Sequence, residues 1–512
     1  MSNQDITVAM TYHEETKHSY ESVYRSHHFL DWENQPRPFK LYTTLPPQPL
    51  PQPLADTQFP LLQALSPTAT VPVVETMPAL ADLAYILFYA AGVTKRRAYP
   101  GYGEMLFRAA ACTGALYHIE LYLAVTDLPG LAAGLYHFAP LDFALRCLRR
   151  GDYRHVLFEA SGHTAALQDA PAVIIGSDTF WRNAWKYRAR AYRHSFWDSG
   201  TILANLGAAA TARRLPTHLV LGFTDTLVNA LLDLEPSHEA ALFCVGVGQG
   251  APPPPIPPPI APLHLDVAPL SQQEVTYPAI GVMHQASMLA SPEEASAWRV
   301  PLPPTASAPA SGPVYALRPN PAEQLPTATI EAVIRRRGST RQFADRPLSQ
   351  SQLANLLLHA TPDIPADFLE PPSQRLNDLY LIVNAVTDLP AGAYVFRPEE
   401  SALELLQAGD FRHQAGTLAL GQTLAAEASV NIYFLCDLTV VLEWFGNRGY
   451  RAAQLEAGIL GGRIYLAAYA QGFGATGLTF FDDDVTEFFS PHAAGKSVMF
   501  LVACGYAAPQ RA

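Results

Sequence analysis

The sequence predicts an α+β chain in which two similar blocks are fused into an intrachain pseudo-dimer. Three observations carry this reading. The stretch GLYHFAPLDFALRCLRRGDYRH (134–155) aligns without gaps to GAYVFRPEESALELLQAGDFRH (392–413), at an offset of 258, and matches at 11 of 22 positions. Unrelated sequences of ordinary composition match at roughly one or two. The same offset pairs Tyr122 with Tyr380, Arg190 with Arg448, Tyr192 with Tyr450, Arg193 with Arg451 and Gly200 with Gly458. Proline-rich stretches, APPPPIPPPIAP (251–262) and VPLPPTASAPASGP (300–313), fall between the blocks and read as spacers.

Four segments follow in order. Residues 1–59 form an N-terminal arm, closed by LPPQPLPQPL (45–54). Residues 60–250 form the first domain, 251–326 a proline-rich linker, and 327–512 the second domain. Within each domain the hydrophobic pattern repeats. An amphipathic helix (80–91; 349–360) precedes a strand (120–125; 378–383), a hairpin-like GLYHF or GAYVF, and a helix. An apolar strand (170–176; 429–436) leads to a long helix rich in Ala and Gly (195–213; 451–471). The last strand is AALFCVGVG or SVMFLVACG. A sheet covered by long helices is a two-layer solution to burying both apolar faces, and a fused pair of like domains is a twofold dimer made within one chain.

Composition limits the function. The chain has 512 residues, is 49% hydrophobic and 16% charged, and carries a net charge of −12. That is enough apolar material for true cores and the wrong sign for nucleic acid as a bulk partner. The N-terminus lacks the basic and apolar regions of a secretory signal, and no apolar run reaches the ~18 residues of a membrane span. The five cysteines (Cys112, Cys147, Cys244, Cys436, Cys504) show no CxxC and no ligand-like spacing with histidine. Neither disulfides nor a metal is expected, and a reducing cytoplasm fits.

The repeat also separates scaffold from chemistry, because features kept in both domains read as architecture. In FWRNAWKYRARAYRH (180–194) the second domain keeps Arg190, Tyr192 and Arg193, which read as a packed cluster of rings and guanidinium groups. It does not keep Lys186 and Tyr187, whose counterparts are Trp444 and Phe445. A lysine beside a tyrosine lowers the phenol pKa or serves as a base when partly desolvated; the plain alternative is an exposed lysine. Conversely, RGSTRQF in the second domain alternates Arg337, Ser339 and Arg341. In an extended segment these share one face and suit a phosphate; the plain alternative is a solvated helix end. The corresponding stretch of the first domain, 64–80, holds no arginine. Each domain has lost something different, the pattern of one surviving composite site at a twofold interface.

These residues resemble a family. RGSTRQF looks like the FMN-phosphate signature of nitroreductase-type flavoproteins. RAAACTGALYHIELYLAV (108–125) resembles the R-x-x-P-S-x-G-A-L-Y-P-x-E-x-Y segment of their SagB/ThcOx-type dehydrogenase branch, and WKYRARAYRH its Lys-Tyr motif. YHEETKHSY (12–20) and LDWENQPRPFKLY (30–42) resemble the branch's N-terminal arm. The resemblance implies two nitroreductase-like, FMN-dependent domains with flavin at their interface. It puts Arg337, Ser339 and Arg341 on phosphate and ribityl, and Leu478 and Thr479 of GFGATGLTFFDD (472–483) by the isoalloxazine. From the first domain it puts Ala111, Cys112 and Gly114 against the flavin and Lys186-Tyr187 above it as the catalytic pair. The implied activity is oxidation of peptide thiazolines or oxazolines, with a cyclodehydratase as possible partner. The family's Pro-Ser is Ala111-Cys112 here, and its later Pro is His118. The second domain keeps Pro372-Ser373 but has Arg375 and no Gly-Ala, so a single flavin is expected. Two other functions stay open: a reductase of nitro compounds or quinones fed by a nicotinamide nucleotide, and a flavin-free scaffold or binding protein. The absence of GxGxxG does not bear on the first, since such enzymes bind nicotinamide over the flavin.

Overall fold

A computed structural model of the chain describes residues 2–25, 28–65, 76–99, 103–301, 309–371 and 374–509. Pro372-Ser373 and most of the 64–80 stretch lie outside these residues.

The first half carries β1 (Pro47–Pro49), a two-stranded ribbon of β2 (Val93–Tyr99) and β3 (Gly103–Arg108), and β4 (Ile119–Val125), β5 (Gly134–Ala139), β6 (Ala144–Arg150), β7 (Ala172–Thr179), β8 (Thr217–Val220) and β9 (Glu239–Val247). The second half carries β10 (Val314–Ala316), β11 (Asn377–Val383), β12 (Gly392–Arg397), β13 (Ala402–Ala408), β14 (Val430–Cys436), β15 (Gly474–Gly477) and β16 (Ser497–Gly505). Two seven-stranded sheets result, ordered β1-β6-β5-β4-β7-β9-β8 and β10-β13-β12-β11-β14-β16-β15. Strand for strand, the second order repeats the first.

The central strands are buried on both faces. In the first sheet Leu121, Leu123 and Ile174 face the core that both halves share. Tyr122, Ala124, Val173 and Ile175 alternate with them and pack under helices Arg154–Ala160 and Asp225–Leu232, as the period of two requires.

The halves meet along two long helices, Ala191–Ala212 and Arg448–Ala470. Both begin a few residues before the sequence-based start, because their first turns carry the shared Arg/Tyr cluster and that cluster is buried. The helices cross where Gly200 meets Gly458. A Cβ on Gly200 would sit 2.3 Å from the Gly458 carbonyl carbon, and one on Gly458 would sit 2.7 Å from the Trp197 oxygen.

At the two ends of this crossing lie matching ionic cages. Arg193 donates to Asp482 Oδ1 (2.6 Å), to the His13 carbonyl (2.6 Å) and to Thr16 Oγ1 (3.0 Å). Arg451 donates to Asp225 Oδ1 (2.8 Å), to the His284 carbonyl (3.0 Å) and to Ser287 Oγ (2.9 Å). Arg190 and Arg448 take the second oxygen of the same aspartates, at 3.0 and 2.6 Å. Each arginine pair thus reaches a carboxylate of the other half. The third wall is the arm helix Thr7–Glu15 in one cage and helix Pro278–Ala286 in the other. Segment 251–326 is therefore more than a spacer: past the polyproline run it holds this helix, helix Pro292–Trp298 and β10. Among the described residues no helix is long and apolar enough to cross a membrane.

Candidate active site

Between β3 and β4 the chain runs through a strained loop. Gly114, Ala115 and Tyr117 all have positive φ, at 65°, 54° and 51°, which for non-glycine residues costs on the order of 1–3 kcal/mol each. The long helix of the same half holds this loop in place. Asp198 accepts from the Thr113 N–H (2.9 Å), the Thr113 hydroxyl (2.9 Å) and the Cys112 thiol (3.0 Å). One turn on, Thr201 donates to the Ala111 carbonyl at 2.6 Å. The Tyr117 N–H closes the loop on Cys112 Sγ at 3.0 Å. Behind it His118 is fully buried and bridges two carboxylates, Asp178 at 2.7 Å and Asp198 at 2.8 Å.

Lys186 and Tyr187 end the helix Phe180–Tyr187, which stops at Arg188 with φ 53°. The Tyr187 hydroxyl lies over Gly114, where a Cβ would approach it to 2.9 Å; this contact, with the positive φ, explains the glycine. The Tyr187 ring stands edge-on to His194 at 4.6 Å, and the Lys186 ammonium sits 5.4 Å from the Tyr187 ring centroid, in cation–π range. Burial, then Asp198 and Cys112, push the Tyr187 phenol up, while Arg341 pulls the other way. Burial, then Arg341, bring Lys186 below the usual lysine value. Two residues of the first half therefore share a field with an arginine of the second.

The second half's signature segment sits against the same loop. Arg337 donates to the carbonyls of Ala109 (2.7 and 3.0 Å) and Arg108 (3.0 Å), so its guanidinium ties the halves together. Lys95 of β2 reaches back to the carbonyls of Arg336 and Arg337 at 3.0 and 2.9 Å. Ser339 Oγ lies 3.4 Å from the Tyr465 hydroxyl, which accepts from the Gly477 N–H. The Thr340 N–H donates to Ala475 at 3.0 Å. The signature segment thus touches β15, whose end leads into Leu478 and Thr479. Leu478 is buried and its N–H donates to Leu501 at 3.1 Å. Thr479 Oγ1 is buried with no hydrogen-bond partner among the described residues. Arg341 is exposed.

The structure therefore brings Tyr187 against Gly114, puts Lys186 and Tyr187 under the electrostatic influence of Arg341, and joins Arg108 and Ala109, just ahead of Ala111-Cys112, to the signature segment through Arg337. Sequence reasoning did not single out Asp198, Lys95 or Tyr465. Asp198 had a signal: the repeat offset pairs it with Glu456, also a carboxylate. Lys95 opens the run KRR (95–97).

The pseudo-equivalent place in the second half is built differently. Glu456 accepts from the N–H groups of Leu376 and Asn377 and from the Asn377 amide, at 2.7–3.2 Å. Burial raises its pKa to about 7. Arg375 and Arg463 are spent on the carbonyls of Thr361 and Pro362, both at 2.6 Å.

Comparison with known proteins agrees with this architecture. The nitroreductase family model matches residues 85–249 and 334–506. A putative nitroreductase from Anabaena variabilis, solved as a crystal structure, superposes with a TM-score of 0.77 at 25% identity, covering 98% of this chain and 99% of its own. The putative nitroreductase MJ1384 of Methanocaldococcus jannaschii is 28% identical over 170 residues, 33% of this chain and 80% of that protein. The trifolitoxin-processing protein TfxB of Rhizobium leguminosarum bv. trifolii is 30% identical over 171 residues, 31% of this chain. The microcin B17-processing protein McbC of Escherichia coli is 27% identical over 138 residues, 25% of this chain. The match spans 43% of the Rhizobium protein and 50% of the E. coli protein.

Proposed function

This chain belongs to the nitroreductase family, carries two copies of its domain, and from that premise we propose that it is an FMN-dependent dehydrogenase with one composite site, oxidising thiazoline- or oxazoline-type rings in a modified peptide. The observation that carries the proposal is the Tyr187 hydroxyl over Gly114, beside a stretch of the first half that Arg337 of the second half grips at the Arg108 and Ala109 carbonyls. Relatives named for processing trifolitoxin and microcin B17 support the peptide as substrate class, and a cyclodehydratase that makes the ring is the partner such a substrate requires.

The residues present fit FMN at both ends. Arg341 offers an exposed guanidinium and Ser339 a hydroxyl for phosphate and ribityl, and Thr479 aims an unpartnered buried hydroxyl for a polar ring edge. When bound, FMN supplies a two-electron acceptor. Lys186, depressed by burial and Arg341, takes the proton from the ring carbon next to the one that gives up hydride. Tyr187 stays protonated, because burial raises its phenol, and donates a hydrogen bond to the substrate. Arg337 and Lys95 keep the two halves in register about that point.

A visible absorption spectrum of the purified protein, with flavin release and quantitation, tests this. A single FMN per chain is expected. Two would show that the second half's altered site also binds flavin. None, even after soaking with FMN, would favour the flavin-free scaffold.

A further inference from the structure

We propose that Cys112, His118 and Asp198 form a mononuclear binding site for a zinc-like divalent cation. The sequence hides this set, because Asp198 arrives from a helix 80 residues beyond His118. In the fold, one ligand atom from each residue lies within 4.8 Å of the other two. Cys112 Sγ is 3.0 Å and His118 Nε2 is 2.8 Å from Asp198 Oδ2. Bonds of about 2.0–2.3 Å from one tetrahedral ion to sulfur, nitrogen and oxygen need ligand separations of this order, so small shifts open the set around a cation.

The surroundings are those of a metal site. His118 Nδ1 is held by Asp178 at 2.7 Å, the carboxylate–histidine arrangement that fixes a ligand imidazole and raises its basicity. Asp178 is itself anchored by the Ser195 hydroxyl. Asp198 Oδ1 is oriented by the Thr113 N–H and hydroxyl, at 3.0 and 2.9 Å. His118 and Asp178 are fully buried, and Cys112 is half-buried at the loop surface, which leaves an approach for the ion. A small apolar cavity lined by Ala91, Ala111, Ile119 and Ile202 adjoins the thiol. Sulfur, imidazole and carboxylate together favour a borderline cation over magnesium or calcium. Three protein ligands leave a fourth position for water or an exogenous heteroatom. Loading balances by releasing the thiol proton and the Nε2 proton of His118. In the second half the repeat offset puts Glu370 and Leu376 where Cys112 and His118 stand, so the set has no twin there.

The proposal does not depend on flavin. The full-length protein is stripped with chelator, reloaded with Zn²⁺ or Co²⁺, gel-filtered, and assayed for metal. Retention of a single zinc per chain is expected, with a thiolate-to-cobalt charge-transfer band in the loaded-minus-stripped difference spectrum. Cys112→Ser, which can keep the hydrogen bond to Asp198, is expected to lose that band and weaken zinc at least tenfold. Cys147→Ser, remote from the set, is expected to change neither. Failure to retain zinc, a cobalt spectrum without the thiolate band, or a band that survives Cys112→Ser would overturn the assignment. Unchanged melting of Cys112→Ser without metal keeps a folding defect from imitating success.

Discussion

Asp198 and Glu456 occupy the same turn of the two long helices, and each caps the loop ahead of a central strand. Asp198 holds a thiol, an imidazole and the Thr113 hydroxyl. Glu456 holds backbone N–H groups and one amide. The scaffold task, satisfying the loop's N–H groups, survives in both halves. The thiol and imidazole partners are found in one. At the cages the reverse holds: Arg193 with Asp482 and Arg451 with Asp225 agree bond for bond. The molecule is symmetric at the cages and asymmetric at the site proposed for the chemistry.

The sharpest way to break that comparison is at Lys186 and Tyr187. Lys186→Ala or Tyr187→Phe is expected to leave FMN bound and to cut turnover by ~10²–10⁴, whereas Trp444→Ala, at the mirror position, changes turnover little. Steady-state rates on an azoline peptide, with flavin content measured in parallel, check this. The cages should fail alike. Asp482→Asn and Asp225→Asn each leave two buried arginines uncompensated and are expected to cost ~3–5 kcal/mol; comparable losses of melting temperature would sustain the symmetry, and a large difference would break it. Arg341→Ala should weaken FMN by ~10–100-fold, the value of a charge-assisted hydrogen bond of about 1.5–3 kcal/mol, as flavin fluorescence titration would read. A separate effect, read on stability and not on binding, is a pH dependence. Glu456 titrates near 7 in the fold, above its ordinary 4.5. Between those values the native chain binds more protons than the unfolded one, so stability falls as pH rises through the window. Glu456→Gln should flatten that part of a denaturation-versus-pH curve.

The doubled fold was legible because strands and helices leave periodic traces, and a 258-residue offset lines two sets of traces up. The pair Lys186-Tyr187 stands out in the sequence because its mirror residues, Trp444 and Phe445, are apolar rings. Arg337 looked like a phosphate ligand by spacing alone, but spacing cannot tell that the carbonyls of Arg108 and Ala109 lie within its reach. Asp198 and His118 stayed hidden because their partnership is made by the sheet and the helix crossing it, at a separation no local pattern spans. The helix Pro278–Ala286 was lost among prolines for a related reason. Its kinship to the arm rests on two short positions, His284 with Ser287 against His13 with Thr16, that only their shared arginine contacts reveal.

That arm has a wider consequence. The duplicated unit is an arm followed by a domain, twice over, and each arm closes a cage formed by both domains. A pair of identical subunits must write every substitution into both of its sites at once. A single chain that carries both copies is released from that rule, and can refine one pocket while letting the other fill with backbone contacts and become a strut.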